Sequence, residues 1–461
     1  MKGALSNILE AIGNTPIVRL NKVAQSVRSP IFVKCEFLNP GGSVKDRPAV
    51  QIIKDYEEQG VLKPGGTIVE ATSGNTGMGL ALAAAIRGYK CVFVMPDKMS
   101  NEKVLALRAF GARVVMTPTD VEPEDPRSYY NVARRLAQEI PGAVLANQYY
   151  NPSNPKAHVL STGPEIWEQT GGEVDAVVIC MGTGGTISGI GKYLKEKKPA
   201  VKVIGVDPIG SVFYDYVRTG KLVPAHSYKV EGFGEDFLPG TMDFSVLDDV
   251  VRVSDKECFD MTRRLVREEG IYCGGSSGAA VAAAVKWAER QLEPRNILVI
   301  LPDSAVRYLS KVFDDTWMKE NGFLEPEYGG TVADVLGQTP RFVFSVPPSA
   351  TLREVIAVMK HQQVSQLPVI EEGGRLVGIV SEVDVLKALV DGKHRETAPA
   401  SEVASTNFAI LEPSNSAALL SDLFAKGLTV LVQDGGRFAG VLTKIDLIDF
   451  IAKRLRHSAA S

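Results

Sequence analysis

Short runs of apolar residues recur along the first two thirds of the chain, and nearly every position in each run is apolar. Stretches with a helical pattern lie between them. Strands without apolar–polar alternation are typical of a parallel sheet that helices cover on both faces. The pattern therefore predicts an α/β fold for residues 1 to about 322, with strands that include Ile31–Cys35, Cys91–Met95, Ala176–Cys180 and Ile297–Leu301.

The pattern changes after residue 322. Residues 323–330 contain Gly and Pro and are predicted to form a linker. Beyond them, the segment Gly373–Leu386 returns as Gly435–Ile448, with each position shifted by 62 residues (435 − 373). A repeat of this period indicates a duplicated strand–turn–strand–helix unit. We therefore predict one domain over residues 1–322 and a second over 331–461, with repeated copies at 331–392 and 398–455.

Composition narrows the function classes. The chain has 461 residues, of which 45% are hydrophobic and 23% charged, as in an ordinary globular protein. A net charge of -3 gives no reason to expect nucleic acid or a membrane surface as a partner. Its five cysteines are scattered without a CxxC pair, which argues against a disulfide framework or a zinc site. With no signal peptide or membrane-length apolar stretch in the sequence, we predict a cytoplasmic protein without a metal site.

The first candidate for chemistry is Lys45, in the segment PGGSVKDR at 40–47. Glycines in front of the lysine allow a flat group to approach the backbone closely. Ser43 is placed to cap a helix that runs to about Gly60 and holds Lys45 in its first turn. A lysine held there can form an imine with an aldehyde such as pyridoxal phosphate. Taken alone, the segment favours a simpler interpretation, a capped helix with a surface lysine.

Three more glycine-rich segments open predicted helices. Thr72–Gly77 (TSGNTG) offers hydroxyl and N–H groups to an anion such as a carboxylate, although an ordinary strand-to-helix turn explains it equally well. Gly182–Thr186 (GTGGT) can form a nest for a phosphate, or a structural turn. Cys273–Ala279 (CGGSSGA) brings a serine to a helix start, where it can bind a pyridine nitrogen or simply cap the helix.

Together these segments resemble the fold type II pyridoxal-phosphate enzymes and, within them, the cystathionine β-synthases. The resemblance runs from residue 5 to about 322 and includes NQYYNPSNP at 147–155, EGFGEDFLP at 231–239 and LPDS at 301–304. It implies a tryptophan synthase β-like parallel-sheet core of two α/β subdomains. It also implies pyridoxal 5′-phosphate as the cofactor.

The resemblance assigns roles to individual residues. Lys45 would bind the cofactor covalently and later act as the base at the substrate Cα. Asn75 would contact the ring hydroxyl of the cofactor, and Ser276 its pyridine nitrogen. The implied phosphate-binding residues are Gly182, Thr183, Gly184, Gly185 and Thr186. The implied substrate-binding residues are Thr72, Ser73, Thr76 and Gln148, which would hold the amino-acid carboxylate, and Tyr149, Glu231, Gly232 and Gly234.

The implied reaction is a β-replacement in transsulfuration, in which L-serine and L-homocysteine give cystathionine and water. The resemblance also allows hydrogen sulfide formation from cysteine. Cysteine synthase, which joins O-acetylserine and sulfide, is the nearest alternative. Tyr149, where cysteine synthases usually have phenylalanine, and the segment EGFGEDF favour the β-synthase, and we expect Glu231 to pair with the homocysteine ammonium. A non-catalytic sensor or scaffold is a remote alternative, which Lys45 and the complete set of cofactor segments argue against.

The C-terminal repeats resemble the tandem CBS-domain (Bateman) module. In that module an aspartate and a nearby hydroxyl hold an adenosine ligand, which implies effector-binding roles for Ser381 with Asp384 and Thr443 with Asp446. Helix capping explains the same pairs, and many such modules serve only in dimerisation. S-adenosylmethionine is the expected effector, and a homodimer or higher homo-oligomer the expected assembly. Animal β-synthases carry a haem segment with Cys and His ligands; with no histidine before His158, we expect no haem here.

Overall fold

The computed structural model describes residues 3–72, 74–97, 101–118, 121, 125–324, 329–337, 344–392 and 394–458. The chain divides into two compact units, Met1–Met318 and Lys319–Ser461. Each unit encloses its own clusters of buried apolar side chains, so each has its own core.

Parallel strands form a larger and a smaller sheet in the first unit. The strands are β1 (Ile17–Arg19), β2 (Ile31–Cys35), β3 (Thr67–Ala71), β4 (Lys90–Pro96), β5 (Arg113–Thr117), β6 (Ala143–Leu145), β7 (Ala176–Cys180), β8 (Lys202–Pro208), β9 (Asp249–Val253) and β10 (Ile297–Leu301). The larger sheet has the order β1-β2-β10-β7-β8-β9, with only β1 antiparallel among these described strands. The smaller sheet has the order β5-β4-β3-β6 and is parallel throughout its described strands.

Helices connect these strands, as parallel pairing requires. They are α1 (Asp46–Glu58), α2 (Asn75–Arg87), α3 (Asn101–Ala109), α4 (Tyr129–Glu139), α5 (Ser153–Ala157), α6 (Gly163–Gln169), α7 (Gly185–Lys197), α8 (Phe213–Thr219), α9 (Asp255–Glu269), α10 (Gly275–Glu289) and α11 (Asp315–Glu320). One turn of π-helix, His158–Thr162, joins α5 to α6. The sequence of α10 explains its central place: its small residues are buried on nearly every side, so the helix lies close to the sheet.

The predicted α/β fold is confirmed. Ile31–Cys35, Ala176–Cys180 and Ile297–Leu301 are β2, β7 and β10, and β4 extends Cys91–Met95 by one residue at each end. All five residues of β10 are buried, because strands flank it on both sides and the faces of such a parallel sheet are covered by helices. A strand in that position has no solvent-facing side chains, which is why its sequence does not alternate.

The second unit contains α12 (Val332–Leu336), α13 (Leu352–Gln362), β11 (Gln366–Ile370), β12 (Leu376–Ser381), α14 (Glu382–Val390), β13 (Phe408–Leu411), α15 (Leu419–Ala425), β14 (Thr429–Asp434), β15 (Arg437–Leu442) and α16 (Lys444–Ser458). The sequence repeat appears as two antiparallel hairpins, β11–β12 and β14–β15, each followed by a helix. The first strands of the two hairpins are linked by the Thr429 hydroxyl, which donates to Gln366 Oε1 at 3.3 Å. The copies therefore pack together.

The leading segments of the two copies are exchanged. Helix α12 stands at the start of the first copy in the sequence, yet Val332 and Val335 belong to the apolar cluster of the second. In the same way Ala400, at the start of the second copy, belongs to the cluster of the first. The repeated glycine of each copy permits this packing: a Cβ at Gly378 would lie 2.8 Å from Ala404 Cβ, and one at Gly440 2.8 Å from a methyl group of α12. The copy boundaries 331–392 and 398–455 stay a prediction. The packing does not follow them, because the first residues of each copy lie in the apolar cluster of the other copy.

Across the described residues, no helix combines the length and the apolar character that a membrane crossing requires. In the same part of the chain, no three His, Cys, Asp or Glu side chains are grouped so that they could hold a metal ion.

Candidate active site

The turn after β10 brings three of the sequence motifs together. Pro302 O accepts a hydrogen bond from the N–H of Val44 at 2.8 Å, beside Lys45. Asp303 O accepts from the N–H of Gly274 at 3.0 Å, at the start of α10. Because β2 and β7 flank β10, the loops after these strands converge at their carboxyl ends, where ligands bind in parallel-sheet folds.

Lys45 is the N-cap residue of α1, not a residue of its first turn. The predicted Ser43 cap is wrong: the Ser43 hydroxyl accepts a 3.3 Å hydrogen bond from the N–H of Lys45 itself, and no side chain in the described part of the chain caps this helix. Helix α2 lies against this point. A Cβ at Gly79 would lie 2.9 Å from Lys45 O, so the close approach of the two helices requires glycine.

Burial lowers the pKa of Lys45, and the negative charges of Asp303 and Glu235 oppose that shift without reversing it. Removing the ammonium from water disfavours its charged form. A lysine with a lowered pKa has more of the neutral amine that acts as a nucleophile or a base. The site therefore favours covalent or proton-transfer chemistry at Nζ.

A buried charge network lies directly behind Lys45. The guanidinium of Arg47 donates to Glu36 at 2.7 Å and to Glu165 at 2.6 Å. Lys34, also buried, is 3.1 Å from the Glu165 carboxylate, and Thr15 donates its hydroxyl to Glu36 at 2.6 Å. These paired charges fix the first turn of α1, and with it the backbone position of the catalytic candidate.

The amide of Asn75 is oriented by its neighbours. Its Nδ2 donates to Asp303 Oδ2 at 2.8 Å, and its Oδ1 accepts from Arg307. Tyr308 donates its hydroxyl to the same Asp303 oxygen at 2.6 Å. Burial raises the pKa of Asp303, and its Oδ1 is buried with no partner among the described residues. Both Asn75 and Asp303 therefore present fixed polar atoms at the carboxyl edge of the sheets.

The residues predicted to hold a carboxylate divide into two kinds. The Thr76 hydroxyl donates to Gln148 Oε1 at 2.5 Å, so these two are brought together as predicted. The Thr72 hydroxyl instead accepts from the N–H groups of Gly74 and Gly77, both at 3.2 Å, and thus shapes its own loop. Ser73 lies outside the described residues.

Asn154 connects this segment to the phosphate-type loop. Its Nδ2 donates to Gln148 O at 2.9 Å and to the Thr183 hydroxyl at 3.0 Å. A Cβ at Gly185 would overlap Asn154 Oδ1, and one at Gly184, where φ is +85°, would lie 2.5 Å from Met242 Cβ. Glycine is required at both positions because neighbouring chains pack directly on the loop.

His158 fixes the far end of the same loop. Its Nε2 lies 3.2 Å from the Thr186 hydroxyl and its Nδ1 2.8 Å from that of Thr162. Burial, with the positive charges of Arg47 and Lys45, holds its pKa well below the ordinary value. A neutral imidazole between two hydroxyls orients Thr186 without adding charge.

The helices that start at these motifs lack the usual caps. The N-cap residues of α2, α7 and α10 are Gly74, Gly184 and Gly274, which have no side chain that could cap the helix. The hydroxyl of a preceding threonine engages one N–H group in α2 and one in α7. Away from this edge, Ser128 caps α4 and Ser254 forms a capping box on α9. Uncapped helix N-termini leave N–H groups and a positive dipole end for an anion.

Ser276 lies beneath the loop that carries Gly232. The residue is buried, and its hydroxyl has no hydrogen-bond partner among the described residues. A Cβ at Gly232, where φ is +93°, would meet only this hydroxyl, at 4.0 Å, whereas one at Gly182 would lie 3.2 Å from Gly232 O. Gly182, Gly232 and Ser276 are thus neighbours.

The two glutamates of EGFGEDF have different surroundings. Glu231 is paired with Lys103 at 2.5 Å and also with Lys311. Burial raises the pKa of Glu235 to about 8, while its hydrogen bond with Tyr149 and the charge of Lys45 act in the opposite direction. Tyr149 packs against Phe237 with ring centroids 5.2 Å apart.

The predicted effector residues form helix caps in the second unit. Ser381 donates its hydroxyl to Asp384 Oδ2 at 2.6 Å, and Thr443 does the same to Asp446 Oδ2 at 2.5 Å. In both pairs the backbone N–H of the first residue donates to the same oxygen. The capping alternative therefore accounts for these hydrogen bonds.

Sequence reasoning gave no role to Asp303, Asn154, His158 or Glu235. A carboxylate directly after a buried strand was a usable signal for Asp303, since polar residues at strand ends converge in such folds. Asn154 and Glu235 were inside quoted motifs, but the contact of Asn154 with Thr183 and that of Glu235 with Tyr149 join different motifs. Nothing in the sequence pairs His158 with Thr186.

Comparison with known proteins gives a consistent assignment. The sequence model of the family described as pyridoxal-phosphate dependent enzyme matches residues 8–303, and the model of the CBS domain matches residues 332–391. The cystathionine beta-synthase of Oryctolagus cuniculus is 41% identical over 98% of this chain and 85% of its own length. The cysteine synthase 1 of Emericella nidulans is 43% identical, over 70% of this chain and 88% of its own length.

Among solved structures, the O-acetylserine dependent cystathionine beta-synthase from Helicobacter pylori is similar with a TM-score of 0.62 and 39% identity. The match covers 67% of this chain and 98% of that chain. The remaining third of the present chain therefore has no counterpart in that structure.

Proposed function

The chain belongs to the cystathionine β-synthase family of pyridoxal-phosphate-dependent enzymes, and from that premise we propose that it condenses L-serine with L-homocysteine to cystathionine and water. The observation that carries the proposal is an identity of 41% extending over 98% of the chain, including the second unit. The cysteine synthase match is equally high in identity but covers only 70% of it.

The residues at the carboxyl edge of the sheets fit pyridoxal phosphate. The N-terminus of α7 has a glycine as its N-cap residue, hydroxyls at Thr183 and Thr186 and no acidic residue in the first turn, which suits a phosphate. The unpartnered hydroxyl of Ser276 suits a ring nitrogen, and the oriented amide of Asn75 a ring hydroxyl. Lys45, as a buried lysine with a lowered pKa, suits covalent attachment to the aldehyde.

When bound, the cofactor supplies an electron sink for negative charge at the substrate Cα. The chain supplies the rest. Thr76 and Gln148 orient the amino-acid carboxylate, and Lys45 Nζ takes the Cα proton and passes it to the β-hydroxyl, which leaves as water. Because Ser276 offers a neutral hydroxyl rather than a carboxylate, it does not add charge at the ring, which favours this loss. The thiol of the second substrate then gives its proton to Lys45 as its sulfur adds at Cβ, and Lys45 transfers that proton to Cα.

A donor–acceptor matrix tests the proposal. Full-length protein is assayed with serine or O-acetylserine, each offered homocysteine or sulfide, and with cysteine alone to measure hydrogen sulfide release. We expect the highest kcat/KM for serine with homocysteine, and Lys45→Ala serves as the blank. A preference for O-acetylserine with sulfide would identify a cysteine synthase activity instead, and no turnover of any pair would favour a non-catalytic sensor.

We further propose a cytoplasmic location and self-association. The five cysteines are free thiols, four of them buried, as is usual in a reducing compartment. In the second unit, Leu386 of α14 and Ile448 of α16 are 63% and 57% exposed, and Val383 and Ile445 lie one turn before them. These pairs are equivalent in the two copies, and such an apolar surface is typical of an interface. A second chain of the same kind is the occupant we propose.

One set of titrations tests both roles of the second unit. S-adenosylmethionine, AMP and ATP are titrated into the full-length protein by calorimetry, and the same samples are sedimented. We expect heat with an adenosyl ligand and a species larger than the monomer that Leu386→Glu shifts toward monomer; Leu292→Glu, at an exposed position of the first unit, is the control. Absence of heat with all three would leave Asp384 and Asp446 as helix caps, and sedimentation as a monomer would contradict the interface.

A further inference from the structure

The backbone of Glu235 is fixed from both sides. The N–H of Gly234 donates to Met181 O at 2.6 Å, just before the phosphate-type loop. The N–H of Glu235 donates to the Ser211 hydroxyl at 3.0 Å, and its carbonyl accepts from Val212 at 3.1 Å. At Gly234 φ is +80° and a Cβ would lie 2.5 Å from Pro208. The side chain of Glu235 therefore starts from a rigid turn beside the candidate active site.

The carboxyl group of Glu235 faces the site without a permanent cation. The charged groups that act on it most are Asp236, Lys45 and Asp207. Lys45 is the cation among them, but burial lowers its pKa, and in the proposed reaction it has passed its proton to the departing water before the second substrate adds. Glu231, the acid expected from sequence to pair with an ammonium, already has two lysines as partners. A largely buried carboxylate that has the neutral hydroxyl of Tyr149 as a hydrogen-bond partner but no counter-charge is unfavourable unless a ligand provides that charge.

The second substrate provides such a charge. In the proposed reaction the amino group of the donor is bound to the cofactor, so the ammonium of the incoming thiol is the one that needs a partner. We propose that Glu235 binds this ammonium and thereby selects an amino-acid thiol over thiols that lack an amino group. The inference rests on the proposed function and names the chemistry by which the site recognises its acceptor.

The arrangement predicts a pH dependence. Burial raises the pKa of Glu235 to about 8, so most of it is protonated at neutral pH. Ammonium binding requires the carboxylate, and the proton leaves to solvent. The KM for homocysteine should therefore fall as pH rises toward 8. The other ionisable groups that face Glu235 are Lys45, Tyr129, Tyr130, Tyr149, Asp207, Tyr228 and Asp236. The pKa values of the four tyrosines are raised, so they remain neutral over this range.

The test compares homocysteine with 4-mercaptobutanoate, which has the same thiol and carboxylate but no amino group. Wild type, Glu235→Gln, Glu235→Asp and Glu231→Gln are assayed with serine as the donor. We expect wild type to prefer homocysteine, Glu235→Gln to lose about 10- to 100-fold of that preference, and Glu235→Asp to retain part of it. The KM for serine should stay unchanged in Glu235→Gln, and its KM for homocysteine should lose the pH dependence.

The outcomes separate this inference from the proposed function. If Glu235→Gln keeps the preference, or if Glu231→Gln alone removes it, Glu235 is not the ammonium site. A wild-type enzyme that uses both thiols equally well contradicts the inference and leaves cystathionine synthesis intact. A wild-type enzyme that uses neither thiol with serine overturns both.

Discussion

Lys45→Ala should lower kcat/KM for the condensation of serine and homocysteine by at least about 1,000-fold, since positioned proton transfer alone contributes roughly 10²- to 10⁴-fold and the covalent attachment is lost as well. Steady-state assays with excess pyridoxal phosphate measure the effect. A small primary amine added to the assay should restore part of the rate to Lys45→Ala, because it can take over proton transfer at Cα.

Lys45 should also destabilise the folded protein when no cofactor is bound. Its pKa is lowered by burial, so the native chain binds fewer protons than the unfolded chain between the two pKa values. Stability contributed by this group therefore rises with pH across that window, and at neutral pH the buried amine is destabilising. Lys45→Met should be inactive yet have a higher free energy of unfolding than wild type, measured by urea denaturation without cofactor.

Lys54→Ala is the matched control, because Lys54 lies on the same helix and its ion pair with Glu58 is exposed. Its activity and stability should change little, since exposed pairs contribute about 0–1 kcal/mol. Full activity in Lys45→Ala would contradict the assignment of Lys45. Inactivity with loss of the folded state would show only that the substitution disrupts folding, which Lys45→Met then resolves.

Arg47→Met should lower the free energy of unfolding by about 3–5 kcal/mol, the usual effect of removing one partner from a buried ion pair. The substitution leaves Glu36 with no solvent exposure and without the guanidinium at 2.7 Å. Chemical denaturation of wild type and variant measures the difference. Because Arg47 is two residues from Lys45, activity at a temperature where the variant is folded should also fall.

The decrease in the free energy of unfolding caused by Arg47→Met should depend on pH. Burial alone would raise the pKa of Glu36, but the charge and hydrogen bonds of Arg47 outweigh it, so the pKa lies below its ordinary 4.5. The stability from this group is present above the pKa of the unfolded chain and is lost as pH falls through the folded value. Without Arg47 the buried carboxyl prefers its neutral form. The difference between wild type and variant should therefore shrink as pH falls below about 4.5.

Two further variants identify the cause of the stability loss in Arg47→Met. Glu36→Gln combined with Arg47→Met should recover part of the loss, because no unpaired charge remains. Arg264→Met, which removes an exposed pair with Glu268 on α9, should change stability by less than about 1 kcal/mol. If Arg47→Met is no more destabilising than Arg264→Met, the buried network does not stabilise the fold.

The strands show how far sequence alone reaches. Buried central strands such as β7 and β10 were predicted to the residue, because burial on both faces leaves a short, continuous apolar run. Helix starts were less exact. The predicted cap at Ser43 was wrong, since α1 begins after Lys45 without a side-chain cap, and a missing cap leaves no local signal.

The residues of the candidate site also differ in whether the sequence carries a local signal for them. The motifs pointed to Lys45, the glycine loop at 182–186 and Ser276 as candidates, because close backbone approach and covalent chemistry restrict residue type locally. The partner of Glu231 could not be identified in this way. Its lysines stand 128 and 80 residues away in the chain, and only folding brings them together. The same holds for the contact of Asn75 with Asp303, which spans 228 residues.

The sequence by itself determined the fold class and the duplicated second unit, because both depend on residue type and local spacing, and its resemblance to a known family gave the pyridoxal-phosphate cofactor. The tertiary structure decided which groups are already engaged: Glu231 by Lys103 and Lys311, and Thr72 by its own loop. It also decided that α12 packs on the second copy rather than the first. Electrostatic pairing and packing depend on distance in space, and a sequence records only distance along the chain.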